Sequence, residues 1–398
     1  MHGQDAAVRL ALRPATCGWQ TGDTVGVMKA AGGPARFTGV QTCGSVWSCA
    51  CCGSRIREHR SGEVQDAAAW WEKQGGQFLF LTLTVRHWAE DSLTRTMDAL
   101  THAFTATING APWKRFTRRH GIRHWIKAQE VTLGWQNGWH AHLHVLLFVD
   151  LPGAVADARE DAARAWAEVD AAAPRVRGVK IAKAKRRDAE VAEAARIAKQ
   201  GIGREREREL HSWLYERWAA MVVKHGGRRP SKRRGVDIRS VRHGNVVALY
   251  VSKLQEGDRE KRGWKVGSEM TRQDLKKGRQ DSLVPLELLD LDGLSEDERD
   301  RNRAYWIEYA ASTSGRRSMT WSRGLKEAAG IAEVDDDEIA EAEAEEVEDE
   351  RVIVIRAAHW RSVRDDPDVL ARILYLVEED RVEDVGELVP FEWPPPLN

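Results

Sequence analysis

The sequence predicts an α+β fold: a central antiparallel β-sheet flanked by helices, with an N-terminal cysteine-rich module and helical additions. Three observations predict it. The run Phe78-Leu-Phe-Leu-Thr-Leu-Thr-Val85 is aromatic and β-branched and too short for a good helix, so it reads as a buried strand. Two further strand candidates, residues 122–133 and 139–149, are joined by Gly134-Trp-Gln-Asn-Gly138, whose Asn-Gly pair signals a hairpin. Helical periodicity surrounds them, over residues 55–74 and 90–107.

Taken in order, residues 1–54 are rich in Cys and Gly and poor in periodicity, as expected of a small zinc-binding module held by metal rather than by a core. Residues 55–74 set Ile56, Val64, Ala67, Ala68, Trp70 and Trp71 among charges, and Gly75-Gly76 ends that helix. The core runs over 55–260. Within it, 154–224 is Ala-rich, charged and helical, and reads as a basic helical insertion; 233–241 reads as a strand and 243–254 as a helix. Residues 261–330 form a helical and loop extension. Residues 331–350 hold twelve acidic residues and no basic one, so a disordered linker is expected. Residues 351–398 regain apolar side chains and read as a small C-terminal appendage.

Formal charge sums to zero, but residues 331–398 hold 22 Asp and Glu against 6 Lys and Arg, a net of −16, leaving +16 on residues 1–330. A basic body suggests a polyanionic partner, because Lys and Arg that displace condensed counterions gain affinity for nucleic acid; a generic solvated surface is the alternative. Arg175, Arg177, Lys180 and Lys183 on the helical insertion, and Arg233 and Arg234 at the start of the 233–241 strand, are the candidates for holding duplex or a displaced strand. No apolar run approaches the roughly 20 residues of a membrane helix, and no basic start precedes an apolar stretch, so a cytoplasmic protein without a membrane partner is expected.

All five cysteines lie in the first 52 residues. An odd, clustered set without a secretion signal argues for a metal site rather than a disulfide framework. Cys49 and Cys52 have Cys-x-x-Cys spacing, Cys43 lies six residues earlier and Cys17 is a plausible distal ligand, giving a four-thiolate Zn²⁺ site with Cys51 spare. A redox pair is the alternative, but no thioredoxin-like βαβ pattern surrounds it. Arg55, Arg57 and Arg60 follow, either presented to DNA or on a solvated helix face.

The most informative segment is Gly138-Trp-His140-Ala-His142-Leu-His144-Val-Leu-Leu-Phe148. In a strand, alternate side chains share a face, so three imidazoles line one side and Ala141, Leu143 and Val145 the other. Such a face can hold a divalent metal or a phosphate, and two neutral imidazoles leave coordination positions open to substrate oxygen. The pattern also resembles the histidine-triad nucleotide hydrolases. Those are small, however, and carry the triad near the chain's end, whereas more than 250 residues follow it here.

A Phe-Leu-Thr-Leu-Thr strand, a His-hydrophobic-His strand and a later Tyr-x-x-Lys helix, in that order, resemble the HUH endonuclease superfamily. Within it, Cys43-Gly-Ser-Val-Trp-Ser-Cys49, Glu130-Val-Thr, Val236-Asp-Ile-Arg239, Ala248-Leu-Tyr-Val-Ser-Lys253 and Trp321-Ser-Arg-Gly-Leu325 resemble the single-tyrosine rolling-circle replication initiators of actinobacterial plasmids and integrative elements. The resemblance covers roughly residues 17–325. It implies an HUH core in which His142 and His144 are paired Mg²⁺ or Mn²⁺ ligands and His140 is a neighbour that ligates or contacts phosphate. Glu130, on the partner strand of the hairpin, is the candidate third ligand, with an ordinary surface strand residue as the alternative. Tyr250 would be the nucleophile and Lys253, three residues on, would supply positive charge near the phenol or the phosphate. Some relatives place a glutamate one turn before the tyrosine; this chain has Val246 there, which leaves the residue that performs termination open.

The resemblance therefore implies nicking of one strand at an origin, single-stranded or extruded from duplex, to give a 5′-phosphotyrosine and a 3′-hydroxyl primer. A host helicase and polymerase are the further partners. A relaxase or single-strand transposase shares this chemistry, and a zinc-stabilised DNA-binding regulator without catalysis is the alternative from another class.

Overall fold

A computed structural model describes residues 16–29, 35–201, 203–241, 282–289, 291, 293–341, 350–364 and 366–394. The helix expected over 243–254, with Tyr250 and Lys253, lies outside the described residues.

The main sheet is built on β3 (Gln77–Thr84), β4 (Ile122–Gly134), β5 (Gly138–Val149) and β6 (Val236–Val241). Its order is β6-β3-β5-β4-β7, with the short strands β7 (Ser282–Leu283) and β8 (Met319–Trp321) both on β4 and every pairing antiparallel. The histidine strand β5 is thus central, flanked by β3 and β4. The β4–β5 hairpin forms as expected, with Gly134 paired to Gly138 around a three-residue loop. Gly138 adopts φ 70° there, and a Cβ on it would lie 2.7 Å from the Ala89 carbonyl oxygen, so both the left-handed backbone and the close approach require glycine.

Alternation along β5 sorts its side chains onto two faces. Ala141, Leu143, Val145 and Leu147 enter the main core, which α2 (Leu93–Thr107), α3 (Gly110–His120), α6 (Arg204–Lys224) and α7 (Glu296–Thr313) close with Met97, Phe116, Trp218 and Trp306. On the opposite face Leu146 and Phe148 lie under α1 (Ala50–Lys73), packed with Val64, Ala68 and Trp71 and with Leu325 of α8 (Leu325–Ala329). His140, His142 and His144 continue that second face beyond the apolar cluster.

Three expectations are corrected. The helical insertion does not extend to 224. The helices α4 (Leu151–Asp170) and α5 (Pro174–Gln200) form a hairpin packed through Ala165, Val169 and Ala184, whereas Leu210, Leu214, Trp218 and Val222 of α6 are buried in the main core. The acidic stretch is not a disordered linker over its first half: α9 (Asp336–Glu341) buries Ile339 and Ala340. Arg60 holds Asp336, Glu63 and the Val334 carbonyl, and Arg55 donates to the Ala340 carbonyl at 2.7 Å. With Arg57 half-buried and donating to the Val46 carbonyl, these three arginines are packing groups rather than a DNA surface. Finally, residues from 350 on are no appendage. The strand β9 (Glu350–Arg356) pairs with β1 (Thr24–Lys29), which pairs with β2 (Ala35–Thr38), and α10 (Ala357–Val363) and α11 (Pro367–Glu378) cover the result. Val25, Val27, Ile353, Ile355, Trp360 and Leu374 make its core. The N-terminal module therefore has an apolar core as well as cysteines, and the tail supplies most of it.

Candidate metal centres

Register brings the first centre together. Glu130 of β4 stands directly opposite His142 of β5, and His144 is two residues along the same face. Glu130 Oε2 lies 2.9 Å from His142 Nε2 and 3.1 Å from His144 Nε2, and the two Nε2 atoms are 3.1 Å apart. Three donors that share one face of an octahedron with bonds of about 2.1 Å would be about 3.0 Å apart, so two imidazoles and a carboxylate fit one ion and leave positions for substrate oxygens. Burial alone would raise the Glu130 pKa, but hydrogen bonds and charge from His142 and His144 outweigh it and hold the carboxylate well below its ordinary range. Thr82, opposite His144 on β3, reaches its Nδ1 at 3.2 Å, and Phe80 stacks on the same ring. That contact favours a proton on Nδ1, with Nε2 free to ligate. His142 Nδ1 is buried without a hydrogen-bond partner among the described residues.

His140 stands outside this three-donor group. Its Nδ1 lies 3.0 Å from Nε2 of His87, a residue with no periodic signal in the sequence, and His87 Nδ1 lies 3.0 Å from the Asn137 carbonyl. A carbonyl only accepts, so His87 carries its proton on Nδ1; neutral, it then accepts from His140, leaving a lone pair on His140 Nε2. Burial lowers the pKa of both rings, and with the charges of His142 and His87 pushes His140 down to about 4.

The second centre unites Cys17, Cys43, Cys49 and Cys52. Their sulfurs approach to 3.4 Å (Cys49 and Cys17), 3.5 Å (Cys17 and Cys52) and 3.8 Å (Cys43 and Cys52), far beyond a disulfide bond. Tetrahedral zinc with bonds of about 2.3 Å sets its ligands about 3.8 Å apart, so this donor set fits structural zinc. Cys49 caps the N-terminus of α1, its Sγ accepting from the Cys52 N–H. Hydrogen bonds from Cys17, Cys43 and Cys49 hold the Cys52 thiol below its ordinary range, while contact with Cys43 drives Cys17 up.

The basic candidates are not gathered in one place. Arg175, Arg177, Lys180 and Lys183 lie on α5 of the helical hairpin, where Lys183 pairs with Glu168 at 2.9 Å. Arg233 and Arg234 are exposed in the turn before β6; the Arg234 carbonyl accepts from the Thr84 hydroxyl, and Thr84 stands opposite His142. That turn therefore adjoins the histidine end of the sheet.

Residues 35–152 match the family model Rep_1, described as a replication protein. That segment is thus similar to a replication-protein domain. Over 382 residues, 85% of this chain and 75% of its relative, it is 28% identical to a "Protein rep" of Streptomyces lividans. It is also 33% identical over 145 residues, 30% of this chain and 33% of the other, to a protein named "Neomycin resistance protein" from Streptomyces cyanogenus. No solved structure matches the chain significantly. The matched segment spans β2 to β5, so it contains Glu130, His142, His144, His140 and His87, together with Cys43, Cys49 and Cys52. Cys17 and Tyr250 lie outside its bounds. Among the described residues no helix is long and apolar enough to cross a membrane.

Proposed function

We propose that the chain is a rolling-circle replication initiator of actinobacterial plasmids or integrative elements, an HUH-type tyrosine endonuclease that nicks one strand of origin DNA. The observation that carries the proposal is the convergence of Glu130, His142 and His144 on adjacent central strands inside the segment similar to a replication-protein domain. These residues would hold Mg²⁺ or Mn²⁺, which when bound polarises a backbone phosphate, while the four cysteines would hold structural Zn²⁺.

In the proposed reaction the phenolic oxygen of Tyr250 attacks the scissile phosphorus, the bond from phosphorus to O3′ breaks, and the departing oxygen takes up a proton to become the 3′-hydroxyl. The 5′ end stays on the protein as a phosphotyrosine. A phenol with a pKa of about 10 is a poor nucleophile at neutral pH, so positive charge at the phosphate and from Lys253 is needed. Because bond energy is kept in the phosphotyrosine, a later hydroxyl rejoins the strand without another energy source. Arg233 and Arg234 adjoin the histidine end and suit the backbone entering the site; Arg175, Arg177, Lys180 and Lys183 suit DNA farther away. A host polymerase would extend the primer and a host helicase would open the duplex.

The test is incubation with labelled single-stranded oligonucleotides from its own replicon and Mn²⁺, followed by denaturing gel electrophoresis. The expected result is a covalent adduct that disappears in both Tyr250→Phe and His142→Ala. Binding to origin DNA with no adduct would replace this reading with a DNA-binding regulator.

A further inference from the structure

The segment leaving β3 carries a cluster beside the metal-ligand group that the proposed reaction does not use. His87 reaches His140, whose ring centroid is 5.1 Å from that of His142, so the next residue, Trp88, lies near the metal-ligand group. The backbone here is fixed on both sides. Arg86 forms a β-bridge with Arg228, the Trp88 N–H donates to Asp91 Oδ2 at 2.8 Å, and His87 is held by the Asn137 carbonyl of the hairpin loop.

The Trp88 side chain is nonetheless 47% exposed, where Trp139 and Trp218 are 2% and 0%. The guanidinium carbons of Arg86 and Arg228 lie 4.9 and 5.4 Å from its ring centroid. Arg228 is engaged by Asp91, whereas Arg86 has no acidic partner among the described residues. A rigidly mounted, exposed indole with an uncommitted guanidinium against it has the two features that bind an unpaired nucleotide: a π-face for the base and a cation for its phosphate.

We infer that Trp88, with Arg86, is a stacking platform for an unpaired base of single-stranded DNA, next to the phosphate bound at Glu130, His142 and His144. This rests on the single-strand nicking reading and adds to it a residue that selects melted strands over duplex, because paired and stacked bases cannot reach the indole.

The experiment is fluorescence anisotropy of the full-length protein with two labelled strands of equal length, oligothymidylate and an abasic tetrahydrofuran phosphodiester, without added Mn²⁺. Trp88→Ala is expected to weaken oligothymidylate binding by roughly tenfold, the scale of one lost stack, and to leave the abasic strand unchanged. Trp88→Phe should retain most of the affinity, and Arg86→Gln should weaken both strands alike. Equal loss on both strands in Trp88→Ala, or loss on neither, overturns the platform. If the wild-type protein forms its covalent adduct while Trp88→Ala keeps the full preference for bases, the platform alone falls; if the wild-type protein forms no adduct with strands from its own replicon, the nicking reading falls with it.

Discussion

Glu130 shows how much one register decides. It faces His142 across the β4–β5 ladder, and both imidazoles reach the same carboxylate oxygen. A slip of one residue would turn its side chain into the core and leave two histidines, too few for a firm site. Glu130→Ala should therefore lower Mn²⁺ affinity by at least roughly 10- to 100-fold, the scale for losing even a carboxylate that only supports a ligand, measured by titration calorimetry. Zinc content, read by elemental analysis, should not change. Equal Mn²⁺ affinity in the variant would show that the carboxylate is only a strand residue. His142 and His144 were legible in the sequence because period-2 alternation needs only the strand, and Glu130 because the hairpin supplies the partner strand. His87 was not, since it sits past the end of β3 in a stretch without periodicity and meets His140 only once β5 and the hairpin loop are folded beside it.

At the scale of elements, α1 connects the two centres. Its N-terminus begins at the cysteine cluster, and its later turns cover the apolar half of the face on which the histidines lie. Arg55, Arg57 and Arg60 illustrate the limit of local reading. Their charge suggested a surface, but the partners that bury them, Val46, Val334, Asp336 and Ala340, come partly from segments nearly 300 residues away. In the same way α6 looked like part of an exposed arm, because its apolar positions alternate with a dense set of charges and only its packing against β6 and α2 reveals them as core. If zinc binding fixes the start of α1, the wild-type protein is expected to hold one equivalent of zinc, and Cys43→Ser should lose it and melt at a lower temperature. Metal content and thermal unfolding, followed together, check this. Unchanged zinc in Cys43→Ser would remove that residue from the ligand set.

Across the whole molecule, residues 24–29 and 35–38 fold as one unit with residues 350–364 and 366–389 although they lie far apart in the chain. The central strand of the small sheet, β1, has β2 on one side and β9 on the other, and the Trp360 indole donates to the Gly18 carbonyl at 2.8 Å, next to Cys17. Local pattern could not show this, because strand pairing over more than 320 residues leaves no periodic trace; only the return of apolar residues after the acidic run hinted at it. Deleting residues 350–398 should uncover one edge of β1 and remove Ile353 and Ile355, each contributing about 1.5–3 kcal/mol by burial. The truncated protein is expected to be cut rapidly by protease within residues 16–41 and to release zinc more readily, since Gly18, next to Cys17, loses its hydrogen bond from Trp360. Mn²⁺ binding at Glu130, His142 and His144 should persist, because the main sheet and α1 do not use the tail. Limited proteolysis and metal titration on one preparation separate these effects: protection equal to that of the full chain would mean the N-terminal module stands alone, and loss of Mn²⁺ binding would mean the two cores are energetically one.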